Sequence, residues 1–132
     1  MTRTRLSRLA VTGATVLALL LTVSAAEARP SNKWRLQFSG GADSDGSIVI
    51  TLMPVGGEPI VTTTAVEDGT SENGVAKTVV KSLKAQLDED VFHVERDDGE
   101  DVLIKRRRGA ANFDVEITEN TVKGVRINPD RE

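Results

Sequence analysis

Cysteine is absent from this sequence, and histidine, tryptophan and tyrosine are rare or missing. Without cysteine the chain can form no disulfide bond, offers no cysteine nucleophile and cannot carry a bacterial-type lipid on an N-terminal cysteine. A serine–histidine pair would have to use His93, the one histidine, and no G-x-S-x-G motif is present. One tryptophan, three phenylalanines and no tyrosine disfavour an aromatic pocket for carbohydrates or drug-like ligands. These absences weaken the case for nucleophilic catalysis.

The first 28 residues have the three parts of a secretory signal peptide. Three arginines lead the chain, the stretch 9–23 is almost wholly apolar, and Ala26 and Ala28 then form an A-x-A cleavage pattern. The apolar run is shorter than the ~20 residues that span a bilayer, which favours cleavage over retention as an N-terminal anchor. We therefore expect a signal peptide at 1–28, no membrane span in the mature chain, and an exported protein in the periplasm or outside the cell.

Cleavage after Ala28 leaves 104 of the 132 residues, which is enough for one small domain spanning 29–132. The leader removes three arginines and one glutamate, so the mature chain keeps 14 basic and 19 acidic side chains, a net charge of −5. This balance argues against nucleic acid or an anionic membrane as the main partner. A protein or another envelope component is the expected partner, and the oligomeric state is left open.

Alternating apolar and polar residues predict six or seven strands. The predicted strands are 34–38, 47–54, 60–66, 91–96, 101–108, 113–118 and 121–127, followed by a polar tail from about 128. Asp98-Gly99 is expected to form a two-residue hairpin turn that places Arg96 opposite Asp101. A second hairpin is expected around Glu119-Asn120, and Gly124 in its second strand indicates a bulge or a close backbone approach.

Helical spacing replaces this alternation between Val75 and Asp90. The predicted apolar stripe consists of Val75, Ala76, Val79, Val80, Leu83 and Leu87, with lysines on the other side. Thr70 or Ser71 is the expected N-cap. The fold class is therefore predicted as α+β: a mostly antiparallel sheet with this amphipathic helix packed on one face. A small β-sandwich or barrel with the helix as a lid is the alternative.

The loop "GGADSDGS", residues 40–47, is the strongest candidate for a cation site because Asp43 and Asp45 lie two apart among glycines. With Gly46 as the sixth position of an EF-hand loop, the first position is Gly41 and the twelfth is Leu52, so two required acidic positions fail. A plain connecting loop is the favoured interpretation, in which the aspartates bond to their own backbone. Asp43 and Asp45 remain weak candidates for metal ligands.

His93 and Glu95 are the other weak metal candidates, because a spacing of two puts them on one face of a strand beside further acids at 97–101. They supply fewer than the three or four ligands of a zinc site, so a solvated hairpin tip is favoured. The basic run 105–108 is interpreted as balancing those acids within the molecule, with anion binding as the alternative. No metal, cofactor or catalytic residue is assigned.

The sequence matches no family known to us, so fold analogy adds nothing to the functional prediction. The leading hypothesis is an exported, non-catalytic binding or structural protein of a bacterial-type cell envelope or exterior. The alternative is a secreted hydrolase or an enzyme inhibitor that uses the hairpin region around His93. Whether the protein is an enzyme is uncertain, and a non-enzyme is favoured.

Overall fold

The computed structural model describes residues 29–132, so the predicted signal peptide lies outside the described residues. Seven antiparallel strands and one helix follow one another along this part of the chain. They are β1 (Lys33–Ser39), β2 (Gly46–Pro54), β3 (Ile60–Val66), α1 (Glu72–Gln86), β4 (Phe92–Asp97), β5 (Asp101–Arg106), β6 (Phe113–Asn120) and β7 (Arg126–Arg131). The predicted α+β class, the number of six or seven mostly antiparallel strands and the single helix are confirmed. No helix among the described residues has the length and apolar character needed to cross a membrane.

The strands form two sheets rather than the one sheet that we expected. One sheet has four strands in the order β4-β5-β1-β7, and the other has three in the order β3-β2-β6. Alternation identifies a strand but not its neighbours, which is why the sequence pattern could not separate the two sheets. The inner faces of both sheets and the helix contribute to one hydrophobic core, so the two sheets are closer to the alternative of a small β-sandwich or barrel with the helix as a lid than to a single sheet.

The core is built from the alternate side chains that each central strand turns inward. Leu36 of β1 and Ile50 and Leu52 of β2 are fully buried. The indole of Trp34 donates a hydrogen bond of 2.8 Å to the carbonyl oxygen of Phe113, which joins the two sheets. Outward residues of β1 are charged or polar, which gives the four-stranded sheet a polar outer face.

The helix begins and packs as its sequence predicts. Ser71 is the N-cap, and its hydroxyl accepts a hydrogen bond from the Gly74 amide. The six residues of the predicted stripe are buried or, for Val80, partly buried. The helix contacts β3 of one sheet and β1, β4 and β5 of the other. It therefore holds the two sheets together along one side of the core.

The last turn of the helix also covers part of an edge strand. The Gln86 carboxamide accepts a hydrogen bond from the Thr63 amide at 2.9 Å and donates one to the Thr63 carbonyl at 2.9 Å. Thr63 belongs to β3, which lies at the edge of its sheet. An exposed edge strand is usually protected by a charged side chain or a proline, and β3 contains neither. Gln86 instead protects this edge by pairing two of its main-chain groups.

Two threonines on the inner face of β3 differ in their hydrogen bonding. Thr62 and Thr64 are both buried, at 1% and 2% exposure. The Thr62 hydroxyl donates to the Ile50 carbonyl at 2.8 Å, whereas Thr64 Oγ1 has no hydrogen-bond partner among the described residues. An unpaired buried hydroxyl lowers stability, so Thr64 is a local weakness in an otherwise apolar layer.

The hairpin of β4 and β5 differs from its predicted register by one residue. Asp97 pairs with Asp101, Arg96 with Val102 and His93 with Lys105. The turn therefore contains three residues, 98–100, although Asp98 and Gly99 do adopt the expected positive φ angles of 47° and 79°. The shift matters for function because it places Lys105 on the same outer face as His93 and Glu95.

The C-terminal segment also differs from its prediction. Residues 121–125 form a turn, and the expected hairpin is not made, because β6 pairs with β2 while β7 pairs with β1. The segment from 128, expected to be a polar tail, is the second half of β7. Pro129 cannot donate to a sheet ladder, but β7 is an edge strand, where proline is tolerated.

The expected close approach at Gly124 is present in this turn rather than in a strand. Gly124 has a φ of 85°, and a Cβ atom there would lie 2.6 Å from the Gly41 carbonyl oxygen and 2.4 Å from Asp43 Oδ2. The Asp43 amide also donates to the Lys123 carbonyl at 2.8 Å. The loop between β1 and β2 is therefore packed against the turn between β6 and β7.

Candidate functional site: two clefts at the basic end of the four-stranded sheet

Arg35 organises the outer face of the four-stranded sheet. Its guanidinium lies 2.7 Å from Asp101, 3.1 Å from Asp97 and 2.5 Å from Glu132, and its side chain is 18% exposed. Hydrogen bonds from Lys33 and then Arg35 lower the pKa of the Glu132 carboxyl, and the three carboxylates together raise the pKa of Arg35. The acids of the hairpin tip are thus partly neutralised by a strand that is distant in sequence.

His93 and Glu95 lie side by side on this face, as their spacing predicts. His93 Nε2 is 3.2 Å from Glu95 Oε2, and the Lys105 ammonium donates to Glu95 Oε1 at 2.7 Å. The bond from Lys105, followed by the one from His93, lowers the pKa of the Glu95 carboxyl. Glu95 is therefore held as a carboxylate by two hydrogen-bonding neighbours, Lys105 and His93.

Asp43 and Asp45 are in the loop that connects β1 and β2. Asp45 Oδ1 accepts a hydrogen bond of 2.8 Å from the Asp68 amide, so it binds a different turn rather than its own backbone as expected. The Ala42 amide and carbonyl bond to Thr70 and Gly69 in that same turn. Within residues 29–132 no three histidine, aspartate or glutamate side chains are grouped as metal ligands.

A cleft of about 250 Å³ opens between the C-terminal end of the helix and β4. We call it the His93 cleft; its lining consists of Lys84, Leu87, Glu89, Phe92, His93, Val94 and Arg107. Its apolar side chains, Leu87, Phe92 and Val94, are nearly buried and form the floor. Phe92 is fixed by an edge-to-face contact with Phe113, with ring centroids 5.1 Å apart.

The rim of the His93 cleft is mainly basic. Lys84 and Arg107 are exposed, and His93 is partly exposed. The only acid in the lining is Glu89, whose backbone carbonyl accepts a hydrogen bond from Arg107 Nε. That bond fixes the start of the guanidinium group on the rim, and the arginine forms no ion pair with a described carboxylate. An apolar floor beside fixed positive charge favours a ligand that is apolar at one end and anionic at the other.

The lining of the His93 cleft gives little support to nucleophilic catalysis. It contains no serine, threonine or tyrosine hydroxyl. His93 could act as a general base, but the residue near its ring is Glu95, and Glu95 is already bonded to Lys105. The arrangement can bind and orient a ligand without supplying a nucleophile of its own.

A second cleft, of about 320 Å³, lies where the start of β1 meets the end of β5. We call it the arginine cleft; Asn32, Lys33, Lys105, Arg106 and Arg108 line it. Only part of the predicted charge balance of the basic run is found, because Lys105 pairs with Glu95 while residues 106–108 form no ion pair with a described carboxylate. Sequence reasoning located the run but not its neighbour Lys33, which enters through strand pairing.

Comparison with known proteins adds no family to this description: no protein-family model matches the chain, and no significant match is found among curated proteins.

Proposed function

We propose that this protein is an exported, non-catalytic binding protein of a bacterial-type cell envelope or exterior, and that the His93 cleft is its binding site. The observation that carries the proposal is the combination of a preformed apolar floor and a cationic rim in a lining that lacks a hydroxyl nucleophile. Export is supported by the charged, apolar and small-residue segments of 1–28.

The chemistry of the cleft points to a protein segment that carries an apolar side chain next to a carboxylate. The floor of Leu87, Phe92 and Val94 would take the apolar group. Lys84 and Arg107 would face the carboxylate, with Arg107 offering a planar pair of donors that suits a carboxylate. The cleft is small, so it would accept one or two side chains rather than a folded surface.

The position of the cleft favours an extended partner segment. β4 is an edge strand of the four-stranded sheet, so its outer side has no neighbouring strand among the described residues. Extended peptides commonly bind by adding to such an edge, where main-chain hydrogen bonds give affinity and adjacent pockets select side chains. Val94 belongs both to β4 and to the cleft, which brings the edge and the pocket together.

A secreted hydrolase or an enzyme inhibitor is the second candidate, and the His93–Glu95 contact is the observation in its favour. A hydrolase would need the hydroxyl that the lining lacks, or a water activated by His93. An inhibitor would use the same cleft, with an enzyme as the captured partner. His93→Ala separates these cases, because it would abolish hydrolysis but would leave most of the apolar floor for binding.

Paired capture experiments test the proposal. The mature domain, residues 29–132, is immobilised and exposed to envelope extract or culture fluid of the native cell, beside the double variant Lys84→Glu and Arg107→Glu. The matched control is Lys77→Glu and Lys123→Glu, which reverses two exposed charges that do not line the cleft. We expect one protein to be retained by the wild type and the control but lost with the cleft variant. Equal retention by all three would contradict the assignment of the cleft.

Export is tested separately by the mass of the protein that the native cell produces. Cleavage after Ala28 predicts a chain that begins at Arg29. Intact mass measurement of the protein recovered from the periplasm or medium gives the answer, and a chain that retains residues 1–28 would contradict the proposed export of a processed domain.

A further inference from the structure

The arginine cleft concentrates positive charge in a protein whose mature chain is acidic. Four of its five lining residues are basic, and the fifth, Asn32, has a neutral amide. Pairing of β1 with β5 places Lys33 directly opposite Lys105, and the Arg106 amide donates to the Asn32 carbonyl at 2.9 Å. Strand pairing therefore fixes the two lysines and the backbone of Arg106 at the end of the sheet, and Arg108 follows in the turn after β5.

The positive charge of the cleft is only partly compensated. Lys33 lies 2.6 Å from Glu132, and Lys105 lies 2.7 Å from Glu95, so each lysine has one carboxylate on its outer side. Arg106 and Arg108 form no ion pair with any carboxylate in residues 29–132. The uncompensated charge comes from these two arginines, and no carboxylate enters the lining of the cleft.

Arg106 is oriented before any ligand arrives. Its Nε donates to Asn112 Oδ1 at 2.6 Å, and its main chain is fixed by the bond to Asn32. No hydrogen bond to its terminal Nη groups is formed by the described residues, which leaves those groups for a ligand. An arginine whose side chain is already fixed loses less conformational entropy when it binds an oxyanion.

We propose that the arginine cleft binds a ligand with two or more adjacent phosphate groups. Arginine and lysine together recognise phosphate, through the planar fork of the first and the point charge of the second. A volume of about 320 Å³ exceeds what one phosphate would fill, and its four cations come from the start of β1, the end of β5 and the turn that follows β5. No aromatic side chain lines the cleft to stack on a base, so the phosphates themselves are recognised rather than a nucleotide.

This site is separate from the His93 cleft, and its ligand is different from the partner segment proposed above. The two linings share no residue. The two proposals can therefore fail independently, and each has its own set of variants.

Isothermal titration calorimetry of the mature domain with tripolyphosphate tests this inference, at a low salt concentration of about 0.05 M so that screening does not hide the effect. The test variant is Arg106→Ala with Arg108→Ala. The control is Lys77→Ala with Lys123→Ala, which removes the same charge from exposed positions outside the cleft. We expect saturable one-site binding that weakens at least about tenfold in the test variant and less than about twofold in the control.

Two further arms define the ligand and its source. Inorganic monophosphate should bind at least about tenfold more weakly than tripolyphosphate, because it engages fewer of the four cations. Long-chain polyphosphate should bind several copies of the domain, each with an affinity close to that for tripolyphosphate, if the cleft accepts internal phosphates of a polymer. A limit of two copies per chain would mean that the cleft needs a terminal phosphate, as a small ligand provides. Absence of binding by the wild type, or equal losses in the test and control variants, would overturn the proposal. Circular dichroism of each variant verifies that it is folded.

Discussion

Replacing Thr64 by valine should stabilise the protein, whereas the same change at Thr62 should not. Both side chains are buried on the inner face of β3, but only the Thr62 hydroxyl has a hydrogen-bond partner, the Ile50 carbonyl at 2.8 Å. Valine has nearly the shape of threonine, so neither change creates a large cavity. Comparing the two variants therefore measures how the loss of a buried hydroxyl changes stability when that hydroxyl has a hydrogen-bond partner and when it has none.

The expected magnitudes follow from these contacts. Removing an unpaired buried hydroxyl relieves a desolvation cost of roughly 1–3 kcal/mol on the scale of protein mutations. At Thr62 the change instead removes a hydrogen bond whose net value, with the desolvation of the hydroxyl already included, is about 0.5–1.5 kcal/mol, so Thr62→Val should lose stability. Thr64→Val should therefore be more stable than Thr62→Val by at least about 1 kcal/mol. For a domain of this size that difference corresponds to roughly 4–5 °C in the melting temperature.

Thermal and urea unfolding of residues 29–132, monitored by circular dichroism, measures this difference. The slope of the urea transition should be the same for both variants, so that the midpoints report stability alone. If Thr62→Val proved as stable as Thr64→Val, or more so, then the Thr64 hydroxyl would have a partner in solution and the proposed weakness in the β3 layer would be refuted.

Three other predictions concern the turns, the β3 edge and the outer face. Gly124→Ala should destabilise the protein by clearly more than the ~1 kcal/mol expected for Gly109→Ala, because both glycines have positive φ but only at Gly124 would an added Cβ clash with neighbouring atoms. Equal losses of stability in urea unfolding would argue against the close approach at Gly124. Gln86→Leu should accelerate amide hydrogen exchange at Thr63, because it removes the carboxamide that accepts the hydrogen bond of this amide. Unchanged exchange at Thr63, measured by NMR, would mean that the carboxamide does not cover the β3 edge. Because the pKa of Glu132 is lowered in the folded state, its contribution to stability is complete above its unfolded pKa and is lost as the pH falls, so the wild type should exceed Glu132→Gln in unfolding free energy by less and less between about pH 5 and pH 3. A constant difference across that range would be inconsistent with the ion pairs of Glu132.

The predicted elements were most accurate where the signals are local. The strand 60–66 coincides with β3, and Ser71, one of two expected caps, is the N-cap. Strand partners were less predictable because pairing joins segments far apart in sequence, as when β7 joins β1 instead of β6. Pro129 made the last strand resemble a tail, since proline is uncommon in strands except at an edge, and only the assembled sheet shows that β7 is an edge.

The candidate site was predictable to the same limited extent. Two residues at a spacing of two on one strand must share a face, so the nearness of His93 and Glu95 followed from the sequence. The contact from Lys105 did not follow, because it depends on a three-residue turn instead of a two-residue turn. The floor of the His93 cleft was also missed, since it requires Leu87 at the helix end to meet Phe92 of β4.

The His93 cleft itself can be tested directly with a simple probe that has both proposed features. Hydrocinnamate carries a phenyl ring and a carboxylate. A binding free energy of about 0.3 kcal/mol per non-hydrogen atom gives it an expected dissociation constant in the low-millimolar range. The measurement is an NMR titration of isotope-labelled residues 29–132 with hydrocinnamate and with its neutral amide.

Leu87, Phe92 and Val94 lie along the floor of the cleft. We predict that hydrocinnamate will cause saturable shifts of their amide signals. The shifts should weaken at least about threefold with the neutral amide and in Arg107→Ala, because both changes remove the charge contact on the rim. An absence of shifts at these residues, or the same affinity for the acid and the amide, would contradict the assignment of the His93 cleft as a binding site for apolar carboxylates.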